Sequence, residues 1–364
     1  MTVIDQKALA SISPESVLER AARGIRRPDI SRLLRQPVQW DLATVVLRNA
    51  LDEIDQRLRT AVAVLHDDDA DPESLTEIDD AMGDLLTVLW SLKSTSTPDA
   101  WKRVCAQCLA HPLRNRIHED PFASRCFNKP RGYPGDAVLI DYLYARRPLP
   151  EEDARLTTLG RRIFEFTLEI PAGHAVRRRR DLVASAIDEL CARSPHPRIL
   201  SVACGHLREA ALSHAVAERQ VDRFVALDQD ALSLQIVESE VGHLGVTTMC
   251  NSIKSLFRGD VARDKFDFIY TTGLFDYLDD RIASKLTERM FDMLNPGGRL
   301  LIANFVPDVW CSAYMEAFLD WNLIYRTDEQ MLANAAEIDK SRMATCETFL
   351  EENRNVVFLD ITKA

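Results

Sequence analysis

The sequence predicts an α/β fold in which a seven-stranded mixed sheet, covered by helices, follows a helical N-terminal domain. From Arg198 onward, short β-like runs alternate with helical stretches, a pattern typical of βαβ units and a parallel sheet. Before that point, apolar residues recur mainly at helical spacing. Because a chain of 364 residues exceeds the usual size of one compact core, we expect a helical domain over residues 1–150 and an α/β domain over 151–364.

Helical periodicity is clearest in stretches that lie before the first predicted strand. These stretches are 43–65, 75–93, 99–110, 152–170 and 175–193. Pro171, Ala172 and Gly173 are expected to separate the last two. The RGYPGD segment, Arg131 to Asp136, is predicted to be a shaped loop because its proline and glycines cannot continue a helix.

The predicted strands follow one another at regular intervals. The first five are RILSVAC, RFVALDQD, VTTMC, FDFIYTT and RLLIANFV. A helix is predicted to begin near Leu207, and Pro296, Gly297 and Gly298 are predicted to form a turn into the fifth strand. Two further strands, near 342–349 and 355–362, are adjacent in the chain, so they predict a final antiparallel hairpin.

Charge and composition exclude several classes of function. The chain has 45 basic and 56 acidic residues, and a formal charge of -11 repels a nucleic acid backbone. No apolar run approaches the roughly 20 residues that cross a bilayer, and the N-terminus lacks the pattern of a signal peptide. We therefore expect a cytoplasmic protein that binds neither nucleic acid nor membrane.

The cysteines do not predict a disulfide framework or a metal site. There are eight, scattered along the chain, which indicates reduced thiols. Cys105 and Cys108 form a C-x-x-C with His111 nearby, but structural zinc normally needs four ligands and no second pair follows. We therefore expect no metal.

The segment after the first strand, SVACGHLREAA, contains a single glycine, Gly205. A dinucleotide site needs several glycines there so that the backbone can approach a pyrophosphate, but His206, Leu207 and Arg208 occupy this stretch. Asp228 ends the second strand, 23 residues after Gly205, where an acid can accept hydrogen bonds from a ribose. The two features together predict a nucleoside site without a pyrophosphate, which argues against NAD.

The ends of the third and fourth strands are also polar. Asn251 and Ser252 follow the third, with side chains that can hydrogen-bond adenine. Thr271, Thr272 and Gly273 end the fourth. In a sheet of this kind, ligands bind outside the carboxyl ends of the strands, so these residues are expected to lie beside the same ligand.

Taken in order, SVACGHLRE, VALDQD, YTTGLFDYL and LNPGGRLLIANF resemble the sheet-edge motifs of class I S-adenosylmethionine-dependent methyltransferases, over residues 160–364. The resemblance implies a Rossmann-like fold and S-adenosylmethionine as cofactor. In this family the first loop is usually richer in glycine than C-G-H-L-R-E. The cofactor residues implied are Ala203, Cys204, Gly205 and Glu209 for the methionine part, Asp228 for the ribose, Gln229 beside the adenosine, Asn251 and Ser252 near adenine, and Thr272, Gly273 and Leu274 beside the sulfonium.

The RGYPGD loop allows two interpretations. It is either a turn that links two domains or a lid in which Tyr133 closes over the cofactor or acceptor. The arrangement of helices, G-Y-P-G-D and a C-terminal methyltransferase domain is similar to bacterial enzymes that make 3-hydroxypalmitic acid methyl ester. This more distant resemblance favours the lid.

The candidates for acceptor contacts lie near the fourth and fifth strands. Tyr325 and Arg326 follow the fifth strand in an aromatic segment, residues 304–330, whose rings are either core or acceptor contacts. Arg326 can pair with a substrate carboxylate in bidentate fashion. Tyr133, Asp276 and Tyr277 are candidate catalytic helpers, among which the sequence does not choose. The basic run Arg177 to Arg180 is typical of a solvated helix face.

These observations predict an enzyme that methylates a small molecule in specialised or signalling metabolism of a bacterium. The accepting atom is left open among carboxylate, sulfur, oxygen and nitrogen, and one alternative is an S-methyltransferase that makes a sulfonium. An NAD-dependent oxidoreductase and a methyltransferase-like binding protein without turnover are the competing hypotheses. The expected partners are the small acceptor and, in a homodimer, a second copy of the chain.

Overall fold

A computed structural model describes residues 40–64, 71–258 and 264–364. The chain forms two compact units, each built from several separate stretches. The helical unit contains the described residues up to Pro134, together with 146–170 and 310–322, and the sheet unit contains 135–145, 171–309 and 323–364. The boundary at residue 150 stays a prediction, but these units alternate along the chain and do not follow each other.

The first part of the chain is helical. Its helices are α1 Trp40–Val64, α2 Pro72–Thr95, α3 Pro98–Ala110, α4 Leu113–Ile117, α5 Pro121–Asn128, α6 Ala137–Ala145, α7 Pro150–Asp153, α8 Thr158–Glu169 and α9 Pro171–Arg193. Pro171, Ala172 and Gly173 do not separate two helices as predicted. They form the first turn of α9, where proline is tolerated because the first N–H groups of a helix have no intrahelical acceptor.

Strands and helices alternate in the rest of the chain. In order they are β1 Arg198–Val202, α10 His214–Ala217, β2 Arg223–Asp228, α11 Ala231–Val241, β3 Val246–Cys250, α12 Lys254–Arg258, β4 Phe266–Thr271, α13 Asp280–Asp292, β5 Leu294–Phe305, α14 Ser312–Phe318, α15 Asp328–Ala333, β6 Met343–Leu350 and β7 Val356–Lys363. The final hairpin, β6 and β7, lies within a residue of where the sequence predicts it.

The strands form one seven-stranded sheet in the order β3-β2-β1-β4-β5-β7-β6. Pairs from β3 to β5 are parallel, whereas β7 runs antiparallel to both β5 and β6. This mixed sheet with flanking helices is the Rossmann-like fold of class I methyltransferases, as predicted. The strand order reverses between β1 and β4, which makes their carboxyl ends the switch point where ligands bind in sheets of this type.

The segment after β1 differs from its prediction. No helix begins near Leu207, and the chain turns until α10. Ala203, Gly205 and Leu207 have positive φ angles of 54°, 55° and 51°. The predicted helix is wrong because Leu207 itself is left-handed and the residues after it form turns up to Ser213.

The N-P-G-G segment also differs from its prediction. It lies inside β5, where Gly297 has a φ of 76°, and the pairing of β4 with β5 shifts register between Phe266 and Phe268. The glycines therefore form an irregularity within the strand, comparable to a bulge, and no separate turn precedes it.

The sheet unit has its core between the sheet and its covering helices. Strand residues such as Leu200 and Ile302 pack in one buried cluster with Leu286, Met290 and Phe291 of α13. Burial of each such side chain contributes roughly 1.5–3 kcal/mol, so this core positions the strand ends firmly.

In the helical unit, α14 is joined to helices that precede it by some 200 residues. The Glu316 carboxylate accepts hydrogen bonds from Lys93 Nζ at 2.7 Å and from Trp101 Nε1 at 2.6 Å. Tyr314 and Trp321 are only 3% and 7% exposed. These two aromatic rings of the 304–330 segment are therefore core residues of the helical unit.

Candidate functional site

The predicted cofactor residues lie at one edge of the sheet, beyond the carboxyl ends of its central strands. Val202 of β1 is level with Leu227 of β2, and Ser201 is level with Tyr270 of β4. The strands are buried, but the residues that follow them are partly exposed. These partly exposed residues are Ala203, Cys204, Gly205, Thr272, Gly273 and Leu274. The fold thus brings the ends of β1, β2 and β4 together around an accessible surface.

Asp228 joins two of these strand ends. Its Oδ2 atom accepts a hydrogen bond from the Gly205 N–H at 2.8 Å, and its Oδ1 atom accepts one from the Asp230 N–H at 2.9 Å. The side chain is largely buried, and burial raises the pKa of its carboxyl. Because each carboxylate oxygen carries a second lone pair, Asp228 can hold the β1 loop and still accept hydroxyl groups of a ligand.

The loop after β1 has a strained and closely packed backbone. Ala203 and Leu207 adopt left-handed conformations that side chains rarely adopt, and such strain is concentrated at functional sites. Gly205 is also left-handed, and a Cβ atom there would lie 3.3 Å from the Cβ of Ala137. Glycine at this position therefore allows the loop to pack against α6.

The end of the RGYPGD segment takes part in this packing within the sheet unit. The Asp136 carboxylate accepts a hydrogen bond from the Leu139 N–H at 2.9 Å, so Asp136 caps the beginning of α6. Gly135 has a φ of 70°. Tyr133 belongs to the helical unit, and its role as a lid stays a prediction.

Glu209 and Cys204 occupy the inner side of the same loop. Tyr270 donates its hydroxyl to Glu209 Oε1 at 2.7 Å, and burial raises the pKa of Glu209. Burial also raises the pKa of the Cys204 thiol well above its ordinary value. Cys204 is consequently a neutral thiol and not a thiolate nucleophile.

His206 and Asp141 form a pair that the sequence did not suggest. His206 Nδ1 lies 2.7 Å from Asp141 Oδ2, and Arg208 donates to the same carboxylate from Nε at 2.8 Å and from Nη2 at 2.6 Å. Asp141 belongs to α6, 65 residues earlier in the chain, so the sequence around His206 does not indicate this partner. The pair fixes the orientation of the His206 ring.

The remaining predicted cofactor residues follow β2 and β3. The Asn251 N–H donates to the Asp228 carbonyl oxygen at 2.8 Å, which places Asn251 beside the end of β2. Gln229 and Asn251 are exposed, and Ser252 is partly exposed. Their side chains are accessible to a ligand, and their roles stay predictions.

Arg326 has a different role from the one predicted. The side chain is 1% exposed, and its N–H groups donate to the carbonyl oxygens of Phe275 and Leu278 at 2.7 and 2.5 Å. They also donate to Asn304 Oδ1 at 2.9 Å and to Asp280 Oδ1 at 2.9 and 3.2 Å. These five bonds match the five donors of a guanidinium, so the predicted pairing with a substrate carboxylate is corrected to a structural role.

Two tyrosines remain candidates near this region. Tyr277 is 39% exposed in the short turn after β4, and Tyr325 is partly exposed next to Arg326. The structure brings Tyr277 to the carboxyl end of β4, and the catalytic role of both residues stays a prediction.

Arg179 lies beside the end of β4, although its place in the basic run predicts a solvated face. It is only 5% exposed, and its Nη2 atom lies 4.0 Å from the position that a Cβ on Gly273 would occupy. One signal for its burial was present in the sequence. Arg179 stands at helical spacing between Val176 and Val183, which are both buried on the same face of α9.

Several polar atoms at this edge of the sheet are buried without a hydrogen-bond partner. They are Arg179 Nε, His206 Nε2 and Thr271 Oγ1. Buried polar groups are normally paired, so unpaired ones beside a switch point indicate a surface adapted to a polar ligand.

Neither a metal site nor a membrane segment is found in residues 40–64, 71–258 and 264–364. In these ranges, no group of three or more histidine, cysteine or acidic residues is arranged to hold a metal ion. Burial raises the pKa of the Cys105 thiol to about 12. None of the described helices has the length and apolar character needed to cross a bilayer.

Comparisons with known proteins find similar solved structures at low sequence identity. No family model and no curated protein matches the chain. A Bordetella parapertussis structure described as a possible exported protein matches with a TM-score of 0.50 and 16% identity, over 87% of this chain and 96% of that one. Magnesium protoporphyrin IX methyltransferase from Synechocystis, with bound S-adenosylmethionine, gives a TM-score of 0.37 and 9% identity over 53% of this chain and 83% of that one.

A second methyltransferase among the similar structures is the N-methyltransferase NodS from Bradyrhizobium japonicum, in complex with S-adenosylhomocysteine. Its TM-score is 0.38 at 12% identity, over 51% of this chain and 87% of that one.

Proposed function

We propose that this protein is an S-adenosylmethionine-dependent methyltransferase with a small-molecule acceptor. The observation that carries the proposal is the position of Asp228 at the end of β2, bonded to the Gly205 N–H beside the switch point. An acid in this position suits a ribose, whereas a loop with one glycine lacks the several that a pyrophosphate requires. A nucleoside without phosphates is the ligand class that meets both conditions.

Each part of the cofactor has a set of residues that would hold it. Asp228 would accept the ribose hydroxyls, and Gln229, Asn251 and Ser252 would contact the adenosine. The loop from Ala203 to Gly205, with Glu209, would hold the methionine part. Thr272, Gly273 and Leu274 would lie beside the sulfonium.

When bound, the cofactor supplies a methyl group on a positively charged sulfur. The protein residues then have to align the acceptor with the methyl carbon and to exclude water. A carboxylate or thioether acceptor is already nucleophilic, whereas a hydroxyl or ammonium acceptor has to lose a proton. Tyr133, Tyr277 and Tyr325 are the residues that we propose for contact with the acceptor, which we leave open among these chemical classes.

Two properties of the chain favour a small acceptor. The net charge of -11 disfavours a nucleic acid substrate, and the resemblance of the G-Y-P-G-D arrangement to enzymes that make 3-hydroxypalmitic acid methyl ester favours a metabolite. We propose action within bacterial specialised or signalling metabolism, in the cytoplasm, by a monomer or a homodimer.

The decisive experiment for the cofactor is a calorimetric titration with S-adenosylmethionine, S-adenosylhomocysteine and NAD. Binding of the first two and none of NAD is expected. Asp228→Asn should weaken the binding of S-adenosylhomocysteine at least about 10-fold, because hydrogen bonds to a charged group contribute about 1.5–3 kcal/mol. Asp222→Asn, an exposed position just before the amino end of β2, is the matched control and should bind like the wild type.

Two results would overturn the cofactor proposal: binding of NAD in preference to S-adenosylmethionine, or full affinity in Asp228→Asn. Turnover needs a second measurement. Incubation with S-adenosylmethionine that carries an isotopically labelled methyl group, in a bacterial metabolite extract, should give a labelled small molecule by mass spectrometry. Cofactor binding without any labelled product would support a binding protein instead.

A further inference from the structure

The helix α9 carries one arginine of its basic run into the interior of the sheet unit. Arg179 is 5% exposed, whereas its neighbour Arg178 is exposed. The neighbours of Arg179 on the buried face are Val176 and Val183. The fold therefore places a permanent positive charge where the flanking positions of the helix are apolar.

This charge has no close counter-charge within the described chain. No described carboxylate lies within 4.0 Å of the Arg179 guanidinium, and its Nε atom has no hydrogen-bond partner. Burial raises the pKa of Tyr144, whose side chain lies close enough to Arg179 for the guanidinium to oppose this shift, and it also lies under the Arg180 guanidinium at 4.6 Å. A tyrosine hydroxyl does not neutralise a guanidinium.

The positive charge of Arg179 acts electrostatically on two acids, but each of these acids hydrogen-bonds to another group. Glu209 accepts from the Tyr270 hydroxyl at 2.7 Å, and Asp276 accepts from the Phe305 N–H at 2.8 Å. Burial raises the pKa of Glu209 and raises that of Asp276 to about 6, and the charge of Arg179 opposes both shifts. Neither acid forms an ion pair with Arg179.

A buried charge without a partner is strongly unfavourable, and natural proteins pair such charges or use them. The planar fork of a guanidinium matches the two oxygens of a carboxylate, which makes arginine the usual residue for binding this anion. The missing counter-charge of Arg179 can therefore come from a bound carboxylate.

The position of Arg179 connects this charge to the site. Its Nη2 atom lies 4.0 Å from where a Cβ on Gly273 would be, and Gly273 is partly exposed at the end of β4. A Cβ atom at that distance would be in ordinary van der Waals contact with the guanidinium. The guanidinium therefore lies directly beside the strand end that forms the site.

We propose that Arg179 binds a carboxylate group in the site at the carboxyl end of β4. The inference rests on the proposed function for the identity of the ligand. A methyltransferase site holds one carboxylate on the amino-acid part of the cofactor, and a carboxylate acceptor would supply another. Both present the same chemistry to Arg179, and the experiment distinguishes them.

The test compares two nucleosides by calorimetry. S-adenosylhomocysteine carries an amino-acid carboxylate, whereas 5′-methylthioadenosine shares its nucleoside and sulfur but lacks that group. If the cofactor supplies the carboxylate, Arg179→Gln should weaken the binding of S-adenosylhomocysteine at least about 10-fold. The affinity for 5′-methylthioadenosine should stay unchanged. The matched control is Arg178→Gln, which removes the same charge from the exposed face of α9 and should bind both like the wild type.

The second arm examines the acceptor. Acetate, benzoate and octanoate are titrated into the complex with S-adenosylhomocysteine. If the acceptor supplies the carboxylate, Arg179→Gln should retain the affinity for both nucleosides and lose the binding of a carboxylate that the wild type binds. The proposal is overturned if Arg179→Gln changes neither S-adenosylhomocysteine affinity nor the binding of any of the three carboxylates.

Folding and the proposed function are controlled separately. Unchanged affinity for 5′-methylthioadenosine shows that the Arg179→Gln site is folded. Should that affinity be lost, Arg179→Lys decides: it keeps the charge but not the fork, so the preference for S-adenosylhomocysteine over 5′-methylthioadenosine, or the binding of a carboxylate, should still decrease. Wild-type protein that binds neither nucleoside would refute the proposed function, whereas normal wild-type binding with no effect of Arg179 would refute this inference alone.

Discussion

The regions around Arg326 and Arg179 contain two arginines that are almost equally buried and very differently paired. Arg326, at 1% exposure, forms five hydrogen bonds that fasten residue 326 to β5 and to the turn after β4. Arg179, at 5% exposure, has an unpaired Nε atom and no ion pair within the described residues. The sequence favours Arg326 for a substrate and Arg179 for the surface, but Arg326 is a structural residue and Arg179 is the buried arginine that we propose for ligand binding.

The difference shows that burial alone does not separate a structural arginine from a binding one. What separates them is the number of donors that the protein itself satisfies. A guanidinium with all five N–H groups bonded has none left for a ligand, whereas one with an unpaired donor keeps the capacity to bind. The comparison predicts different behaviour for each region.

The largest effect is expected for the stability of two matched variants. Arg326→Gln should lower the free energy of unfolding by about 3–5 kcal/mol, because it breaks a fully buried network and leaves carbonyl oxygens unpaired. Arg179→Gln should cause no loss, leaving the protein as stable as the wild type or more stable, because it removes a buried charge with no ion-pair partner. Urea unfolding followed by circular dichroism measures both, and equal losses in the two variants would abolish the distinction.

A second prediction concerns Asp276, a buried acid in the turn that Arg326 fastens. Burial raises its pKa to about 6, and the charges of Arg179 and Arg326 oppose this shift. Since the folded value exceeds the unfolded one, this group favours the fold below about pH 4, and the contribution is lost as the pH rises through about 6.

Asp276→Asn remains neutral at every pH and can still accept from the Phe305 N–H. Relative to the wild type, this variant should therefore gain at least about 1 kcal/mol of stability between pH 4 and pH 8. Urea unfolding at a series of pH values checks it. If the free energies of unfolding of the two proteins changed in parallel with pH, Asp276 would have an ordinary pKa in the folded protein.

The smallest effect is expected for two buried threonines that differ as the arginines do. Thr271 Oγ1 has no partner, whereas Thr287 Oγ1 donates to the Ala283 carbonyl oxygen at 2.9 Å. Thr271→Val should stabilise the protein by up to about 1 kcal/mol, and Thr287→Val should destabilise it by about 1 kcal/mol. Thermal unfolding measures both. A loss of stability in both variants would show that Thr271 does have a bonding partner in solution.

Much of the fold could be predicted from the sequence. The helical stretches 43–65, 75–93 and 99–110 correspond to α1, α2 and α3 because an amphipathic helix that covers a core needs this spacing. The strand series and the final hairpin were predicted for a similar reason. Runs of buried β-branched residues that alternate with helices have few other arrangements.

The site was harder to predict from the sequence than the fold. The order of the strand-end motifs placed Asp228 and Gly205 side by side, because parallel strands end at one edge. The conformation of the loop between them could not be predicted, since Ala203 and Leu207 are not residues that favour a left-handed backbone. The pairings of Arg326 and His206 depend on partners 22 to 65 residues away, which no local pattern reveals.

The alternation of the two units along the chain has a consequence for synthesis. The chain passes five times from one unit to the other, and the helical unit needs residues 310–322. Lys93 and Trp101 reach the ribosome exit long before Glu316, which they bind. Domains usually fold as they emerge from the ribosome, during synthesis at about 5–20 residues per second. The helical unit, however, can complete this contact only after roughly 200 further residues have been made. The helical unit, whose first residues are made early, is thus completed late in synthesis. A chain shortened before Glu316 would leave Trp101 and Lys93 without their hydrogen-bond acceptor.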